Sequence, residues 1–280
     1  MTNQALTIVI LTQNEQDNLP RCLRSIPQEY PVVLIDSGST DQTLAIAGRH
    51  GCTVHSNPWP GFADQRNYAL ERCGIATKWV LFIDADELFP AEFYRWFEQT
   101  IADTDQADAY MIPSVYYQRG KKLRFAPGYP IYHPRLVQRE SVRFVTNHTG
   151  HGEAVTASCR IAHGTIPYDH YWYNGEIVAW MHKHIGKAAQ EVKLVPTPGA
   201  VMTTRGRLSV WLGRSAFRIV ARFLYHYVLR GGFLDGAAGL EFALMFAWYE
   251  ATIYLQAKSG ALNEAAQSMD VGLAPRTHAG

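Results

Sequence analysis

Three carboxylates, Asp84, Asp86 and Glu87, follow directly on the apolar run Trp79 to Ile83 in the stretch WVLFIDADE. A strand made for burial gains nothing from ending in three acids. Oxygen ligands gathered at one point instead suit a hard cation such as Mg2+ or Mn2+ held together with a diphosphate. The competing reading makes these acids the start of a loop that caps a helix expected near Phe89 to Thr100, where negative charge complements the helix dipole. Polar residues also close two earlier apolar runs: Thr12, Asn14 and Glu15 after LTIVIL, and Asp36 and Ser37 after VVLI. In a parallel sheet all of these gather at the carboxyl edge, where ligands bind.

The elements that must position them follow from periodicity. Short β-rich runs alternate with helical segments: LTIVILTQ, a helix from about Asp17 to Ser25, VVLIDS, a helix from about Thr40 to His50, TVHSN, a helix near Ala63 to Arg72, then WVLFID. Continuous apolar strands separated by amphipathic helices predict a parallel sheet covered on both faces. At 280 residues, 47% hydrophobic and 18% charged, the chain can bury a core of one or two domains, and a disordered or fibrous protein is excluded. A net charge of +1 gives no global case for nucleic acid. Cys22, Cys52, Cys73 and Cys159 form no C-x-x-C pair, which argues against a zinc ribbon or redox motif and fits a reducing compartment. LTIVIL has no charged stretch before it and is too short for a signal peptide or a spanning helix, so the catalytic part is expected in the cytoplasm. The first loop, TQNEQDNLPR, is acidic and without glycine, unlike the basic, glycine-rich loop of a sugar-phosphate nucleotidyltransferase; a P-loop and a G-x-G-x-x-G after a strand are both absent.

Four segments, ILTQNEQDNLPRCLRSI, VVLIDSGSTDQT, GFADQRNYAL and WVLFIDADE, occur in an order and at spacings that resemble family 2 glycosyltransferases. The shared pattern is a strand ending in T-x-N-E, a strand ending in D-x-G-S-x-D, a helix start G-x-A-x-x-R-N-x-A and a strand ending in D-x-D. The resemblance covers about the first third of the chain. It implies a GT-A fold, a Rossmann-like, mostly parallel α/β sheet flanked by helices, and a nucleotide-sugar site. It places Glu15 near the ribose, Asp36 near the base, Arg66 beside the nucleotide, Asp84 at the ribose and Asp86 on the metal bridging the diphosphate. Thr12, Asn14, Ser37 and Ala85 join the same site. A divalent Mg2+ or Mn2+ and a guanidinium match the charge that builds as a nucleoside diphosphate departs, with a UDP-sugar as the expected donor. Asp41 reads as a helix N-terminal acid, and Gly38 and Gly61 as turn glycines or points of close ligand approach.

Inverting transfer needs a base that takes the acceptor hydroxyl's proton as the oxygen attacks the anomeric carbon. The segment GYPIYHPRLVQRESVRFVTNHTGHGEA offers Glu140, His148, His151 and Glu153. It resembles the family's arginine-leucine strand and the loop that ends in a His-Glu pair, with His151-Gly152-Glu153 in place of adjacent His and Glu. Glu153 is the preferred base, and His151 orients it or touches the phosphates or metal. Glu140, between Arg139 and Arg143, reads as a turn residue in a surface ion pair.

From Ile177 the pattern is helical. Between Val192 and Leu234 there is no acid, while Lys193, Arg205, Arg207, Arg214, Arg218, Arg222 and Arg230 supply seven cations. Arg214, Arg218 and Arg222 recur every four residues as a stripe, which suits a helix lying on an anionic membrane surface; a solvated basic face is the alternative. The apolar stretch Gly231 to Ser259 carries Glu241 and Glu250 on opposite sides of a helix, which predicts a buried or interfacial helix rather than a spanning one. HKHIGKAAQE and RGGFLDGAAGL resemble the C-terminal part of the bacterial branch related to lipopolysaccharide-core glucosyltransferases. That resemblance implies a glycan or lipid-linked acceptor in envelope polysaccharide synthesis, and a peripheral position on the inner face of the cytoplasmic membrane. The expected organisation is a nucleotide-sugar-binding catalytic domain at 1–160, a helical acceptor or membrane-associating region at 161–260 and a disordered tail at 261–280. The alternative is a catalytically inactive sugar-nucleotide-binding protein or membrane-surface scaffold on the same fold.

Overall fold

A computed structural model describes residues 5–102, 106–146, 153–193 and 215–272. The first four strands are those the apolar runs predict: β1 (Leu6–Thr12), β2 (Val32–Asp36), β3 (Thr53–Ser56) and β4 (Trp79–Asp84). They lie parallel in the order β3-β2-β1-β4. Parallel neighbours need crossovers, here made through α1 (Leu19–Ser25), α2 (Thr43–Arg49) and α3 (Phe62–Arg72). Residues of β1 and β4 alternate between two cores, as a period of two requires. Leu6, Ile8, Ile10, Leu81 and Ile83 pack with α1 and with α4 (Ala91–Trp96) on one side, and Val9, Leu11, Val80 and Phe82 with α3 on the other.

Beyond β4 the sheet becomes mixed. β8 (Ile131–Gln138) lies antiparallel between β4 and β6 (Ala109–Gln118). β11 (Ile161–His163) and β12 (Tyr168–Tyr173) are parallel to β6, while β5 (Glu87–Leu88) runs antiparallel to β12 and β7 (Lys121–Lys122) antiparallel to β6. β9 (Phe144–Thr146) and β10 (Glu153–Val155) form a separate antiparallel pair. The result is an α/β fold built on a ten-stranded mixed sheet with flanking helices. The first compact unit runs to Gly175 rather than to residue 160, because β11 and β12 complete its sheet.

The second unit, from Glu176, contains α5 (Ile177–Lys193), α6 (Phe217–Leu224) and α7 (Ala237–Gly272). A π-helical turn, Tyr225–Leu229, and a 3-10 turn, Gly232–Asp235, join the last two helices. The helix of α7 continues to Gly272, past the point where a tail was expected, because residues 261–269 contain no proline or glycine to stop it. Residues 273–280 lie outside the described residues. The glycine-rich motif here is a packing device. A Cβ on Gly239 would stand 1.9 Å from the Gly232 carbonyl oxygen, so only glycine lets α7 start against the 3-10 turn.

The arginine stripe corrects one expectation. Arg218 and Arg222 do not form a solvated or membrane-facing row: both reach the buried Glu250 of α7, at 2.9 and 2.6 Å. His226, four residues further on, is buried against Phe242 and Phe246. The stripe 218/222/226 therefore faces 250/246/242 across an antiparallel helix pair. Arg214 lies outside the described residues. No described helix is long and apolar enough to cross a membrane.

Candidate active site

β1, β2 and β4 end level with one another, Thr12 opposite Asp36 and Leu11 opposite Asp84. The strand ends named from the sequence thus share one edge of the sheet. After Asp84 the chain turns at Ala85 and Asp86 and leaves as β5, with the Tyr171 N–H donating to the Asp86 carbonyl at 2.9 Å. The turn gives the three acids three different fates. Glu87 points inward and is fully buried; one carboxylate oxygen accepts from Arg135 Nη2 and the other from the Asp84 N–H at 3.0 Å. Asp84, 26% exposed, accepts from Arg135 Nη2 at 2.8 Å and lies 3.4 Å from Arg66 Nη2. Asp86 keeps a carboxylate that is 24% exposed and lies 3.5 Å from His170 Nε2 on β12. None of the three caps the following helix: α4 begins after Pro90 without a side-chain cap.

The electrostatics follow from this division. Burial would raise the Asp84 carboxyl, but the guanidiniums of Arg135 and Arg66 outweigh it and hold that group well below the usual carboxylate range. Glu87 is deeper: burial, with Asp84 and Asp86 close by, pushes it up to about 7 in spite of Arg135. Burial and the neighbouring Arg135 lower His133 to about 3, so it stays neutral. For His170 burial acts downward, and the Asp86 carboxylate turns the net shift upward.

Two loops at the same edge are stitched together. Asp36, almost fully buried, accepts from the N–H groups of Gly38 and Ser39 at 2.9 and 2.8 Å, from the Ser39 hydroxyl, and from Thr12 Oγ1 at 3.3 Å. Gly38, at φ 93°, supplies the left-handed turn this requires. The Asn14 N–H donates to Ser39 Oγ and its side-chain oxygen accepts from the Thr40 N–H, each at 2.8 Å. The Glu15 N–H donates to Thr43 Oγ1, and its carboxylate, half-buried, accepts from Asn18. Asp41 accepts from the Thr43 N–H at the start of α2 and from the Gln16 N–H, the helix-terminal part expected of it. Ser37 donates its N–H to the Thr12 carbonyl and accepts from Gln65 Nε2. Ala85 packs its methyl into the core, so only its backbone is left toward the end of β4.

Behind this edge Arg66 is fully buried, with its guanidinium over the rings of Phe82, Phe144 and Phe62 at 5.4, 5.6 and 5.9 Å. The next residue does different work. Asn67 exchanges two hydrogen bonds of 2.9 Å with the backbone of Phe144 and so pins β9 to α3. β10 begins at Glu153, which pairs with Thr146 of β9. The Glu153 side chain, like His148 and His151, lies outside the described part. Glu140 is 80% exposed and paired with Arg139, as its sequence context implied, whereas Arg143 pairs with Glu71 at 3.1 Å.

Arg135, His170 and Gln65 are components to which sequence reasoning gave no part, while Glu87, read there as one of three clustered acids, and Asn67, a position of the helix-start pattern, take structural parts it did not give them. A signal existed for Arg135, a lone cation in the apolar strand sequence PRLV. His170 and Gln65 carry no pattern that marks them. Among the described residues no group of three or more His, Cys, Asp or Glu is placed to hold a metal unaided.

The family model described as glycosyl transferase family 2 matches residues 7–160, more than half of the chain. The chain belongs to the family 2 glycosyltransferases. An uncharacterized glycosyltransferase of Rickettsia conorii is 34% identical over 129 residues, covering 44% of this chain and 45% of that one. A lipopolysaccharide core biosynthesis glycosyltransferase, LpsC, of Rhizobium meliloti is 32% identical over 106 residues, 36% of this chain and 38% of its own. The matches thus span less than half the length of these relatives. A mannosyltransferase of Pyrobaculum calidifontis, solved with GDP-Man and Mn2+, shares the fold with a TM-score of 0.51 at 15% identity, over 92% of this chain and 87% of that one.

Proposed function

We propose that this glycosyltransferase moves a sugar, with inversion, from a nucleoside diphosphate sugar, a UDP-sugar first among candidates, to a glycan or lipid-linked acceptor in envelope polysaccharide or lipopolysaccharide-core synthesis, at the inner face of the cytoplasmic membrane. The observation that carries the donor half is the pair of partly exposed carboxylates at the end of β4: Asp84 held ionised by two guanidiniums, and Asp86 beside it within reach of His170. The acceptor half draws support from the likeness to LpsC, a protein of lipopolysaccharide core biosynthesis.

A divalent cation fits this donor set. Mg2+ and Mn2+ at diphosphate sites use one or two carboxylates together with phosphate oxygens and water, so no cage of three protein ligands is required. Asp86 would hold it, with the imidazole of His170 nearby. When bound, the cation neutralises charge on the departing diphosphate. The chain's own residues do the rest. Asp84, ionised at any physiological pH, accepts from the ribose hydroxyls, with Glu15 near the same sugar. Asp36 acts on the base through the loop it ties at Gly38 and Ser39, with Thr12, Asn14 and Ser37 fixing that loop. Arg66 acts on the nucleotide through Asp84. Glu153, oriented by His151, takes the acceptor hydroxyl's proton as that oxygen bonds to the anomeric carbon and the bond to the diphosphate oxygen breaks on the opposite face.

Isothermal calorimetry of nucleotide sugars with and without Mn2+ tests this. The parent protein should bind one of them more tightly with Mn2+, and Asp86→Asn should remove that gain while circular dichroism stays unchanged. Mn2+-dependent affinity that survives in Asp86→Asn refutes the assignment.

A further inference from the structure

The stretch that forms β6, β7 and β8 is basic. From Ala109 to Gln138 the sequence has five cations and no acid, and four of the five, Arg119, Lys121, Lys122 and Arg124, fall within six residues around β7. The fifth, Arg135, is engaged by Asp84 and Glu87. Arg119 lies over the Tyr173 ring at 5.6 Å. Lys122 and Arg124 line a cavity of about 280 Å3, together with Val115, Leu123, Tyr129 and Pro167. Burial sorts this lining: Val115 and Leu123 are buried and make the inner wall, whereas Lys122, Arg124 and the Tyr129 ring are exposed at the mouth. Asp169 lies close enough to offset part of the Lys122 charge, and Arg124 adds a second cation.

The cavity adjoins the acids at the end of β4 through two strands. Val115 of β6 lies opposite Asp169 of β12, and the next residue of each strand, Tyr116 and His170, brings the two rings together with centroids 4.8 Å apart. His170 is the residue 3.5 Å from Asp86. One step along β6 and β12 therefore separates the cavity lining from the carboxylate proposed to hold the cation.

Size, charge and place together select the occupant. The volume is at the lower end for small-molecule pockets, roughly 300–1,000 Å3, so it admits one sugar-sized group and not a whole nucleotide sugar. A guanidinium and an ammonium at one mouth favour a phosphate or a carboxylate, the first as a planar fork and the second as a point charge. The tyrosine ring offers an apolar face to the C–H side of a pyranose and a hydroxyl to its polar rim.

We infer that this cavity is an acceptor subsite for a sugar that carries a negative charge, a phosphate or a carboxylate, with the charge on Lys122 and Arg124 and the ring on Tyr129. This rests on the acceptor half of the function proposed above, a glycan acceptor, and is separable from the donor half, because none of the six lining residues belongs to the donor site.

The test is an NMR titration of the full chain with glucose 6-phosphate, glucuronate, glucose and inorganic phosphate. A hydrogen bond to a charged group is worth roughly a tenfold change or more, so at least one of the two anionic sugars should bind tenfold more tightly than glucose and shift the signals of Val115 and Leu123. The tighter of the two distinguishes phosphate from carboxylate. Lys122→Gln/Arg124→Gln should abolish the preference at an unchanged thermal midpoint, both positions being exposed. Tyr129→Ala should weaken the anionic sugar several-fold and leave inorganic phosphate as in the parent. Arg95→Gln, which removes an exposed cation of α4, should bind as the parent does. Three outcomes overturn the inference: anionic sugars that bind no more tightly than glucose, a preference that survives in the double variant, or inorganic phosphate that binds as tightly as glucose 6-phosphate with no effect of Tyr129→Ala, which leaves an anion site without a sugar. None of the three touches the donor assignment, which the calorimetry of Asp86→Asn decides.

Discussion

Arg135 provides the sharpest check on the electrostatics of the site. Its side chain is 3% exposed and serves two carboxylates, Asp84 at 26% and Glu87 at 0% exposure. Replacing it by methionine keeps most of the volume and removes the charge. Breaking a buried pair by deleting one partner costs about 3–5 kcal/mol, and water repays a share of this at Asp84. For a unit of this size each kcal/mol is worth about 2–4 °C, so the midpoint in alkaline buffer should fall by about 10 °C. The loss must also depend on pH, with a definite sign. Glu87 is raised from an ordinary value near 4.5 to about 7, so the folded state binds its proton more tightly than the unfolded one and stability falls as pH rises across that interval. Without Arg135 the Glu87 carboxyl climbs further, and Asp84 loses the attraction that held it low. Both changes penalise the variant more at high pH than at low. Thermal melts of parent and Arg135→Met in chelator-containing buffer at pH 5 and pH 8 would show this. The midpoint difference should be several degrees larger at pH 8, and Arg135→Met/Glu87→Gln should recover part of it. An equal difference at both pH values, or a larger one at pH 5, refutes the clamp.

Two further outcomes follow from the same geometry. Asn67→Ala removes both hydrogen bonds to Phe144, each worth roughly 1 kcal/mol net, so amide exchange in 144–146 and 153–155 should speed by more than tenfold while β1 and β4 stay protected. Glu153→Gln should lower the transfer rate by about 10²- to 10⁴-fold, the usual range for a general base, with donor affinity within a factor of two of the parent; a variant that transfers at the parental rate while Glu140→Gln does not would move the base to Glu140.

What could be read from the sequence, and what could not, divides along one physical line. The four parallel strands, their helices and the alignment of Thr12, Asp36 and Asp84 follow from local periodicity: an apolar run flanked by polar residues already states where a buried strand stops. The antiparallel half of the sheet carries no such statement, because β8 enters between β4 and β6 by a pairing whose partner is not written nearby in the chain. Arg135 acquires its role only through that insertion, and Glu87 only through Arg135. The arginine stripe repeats the lesson in the helical unit. Spacing places Arg218 and Arg222 on one face, but not on the inner or the outer one. The habit of turning charge outward decides wrongly at Glu250, whose burial is sustained by those same two guanidiniums. In both units a buried acid and an arginine turned inward are each implausible alone, and each is the condition for the other. That is why neither could be assigned before its partner was in place, and why deleting a single member leaves a cost that the surrounding apolar packing does not absorb.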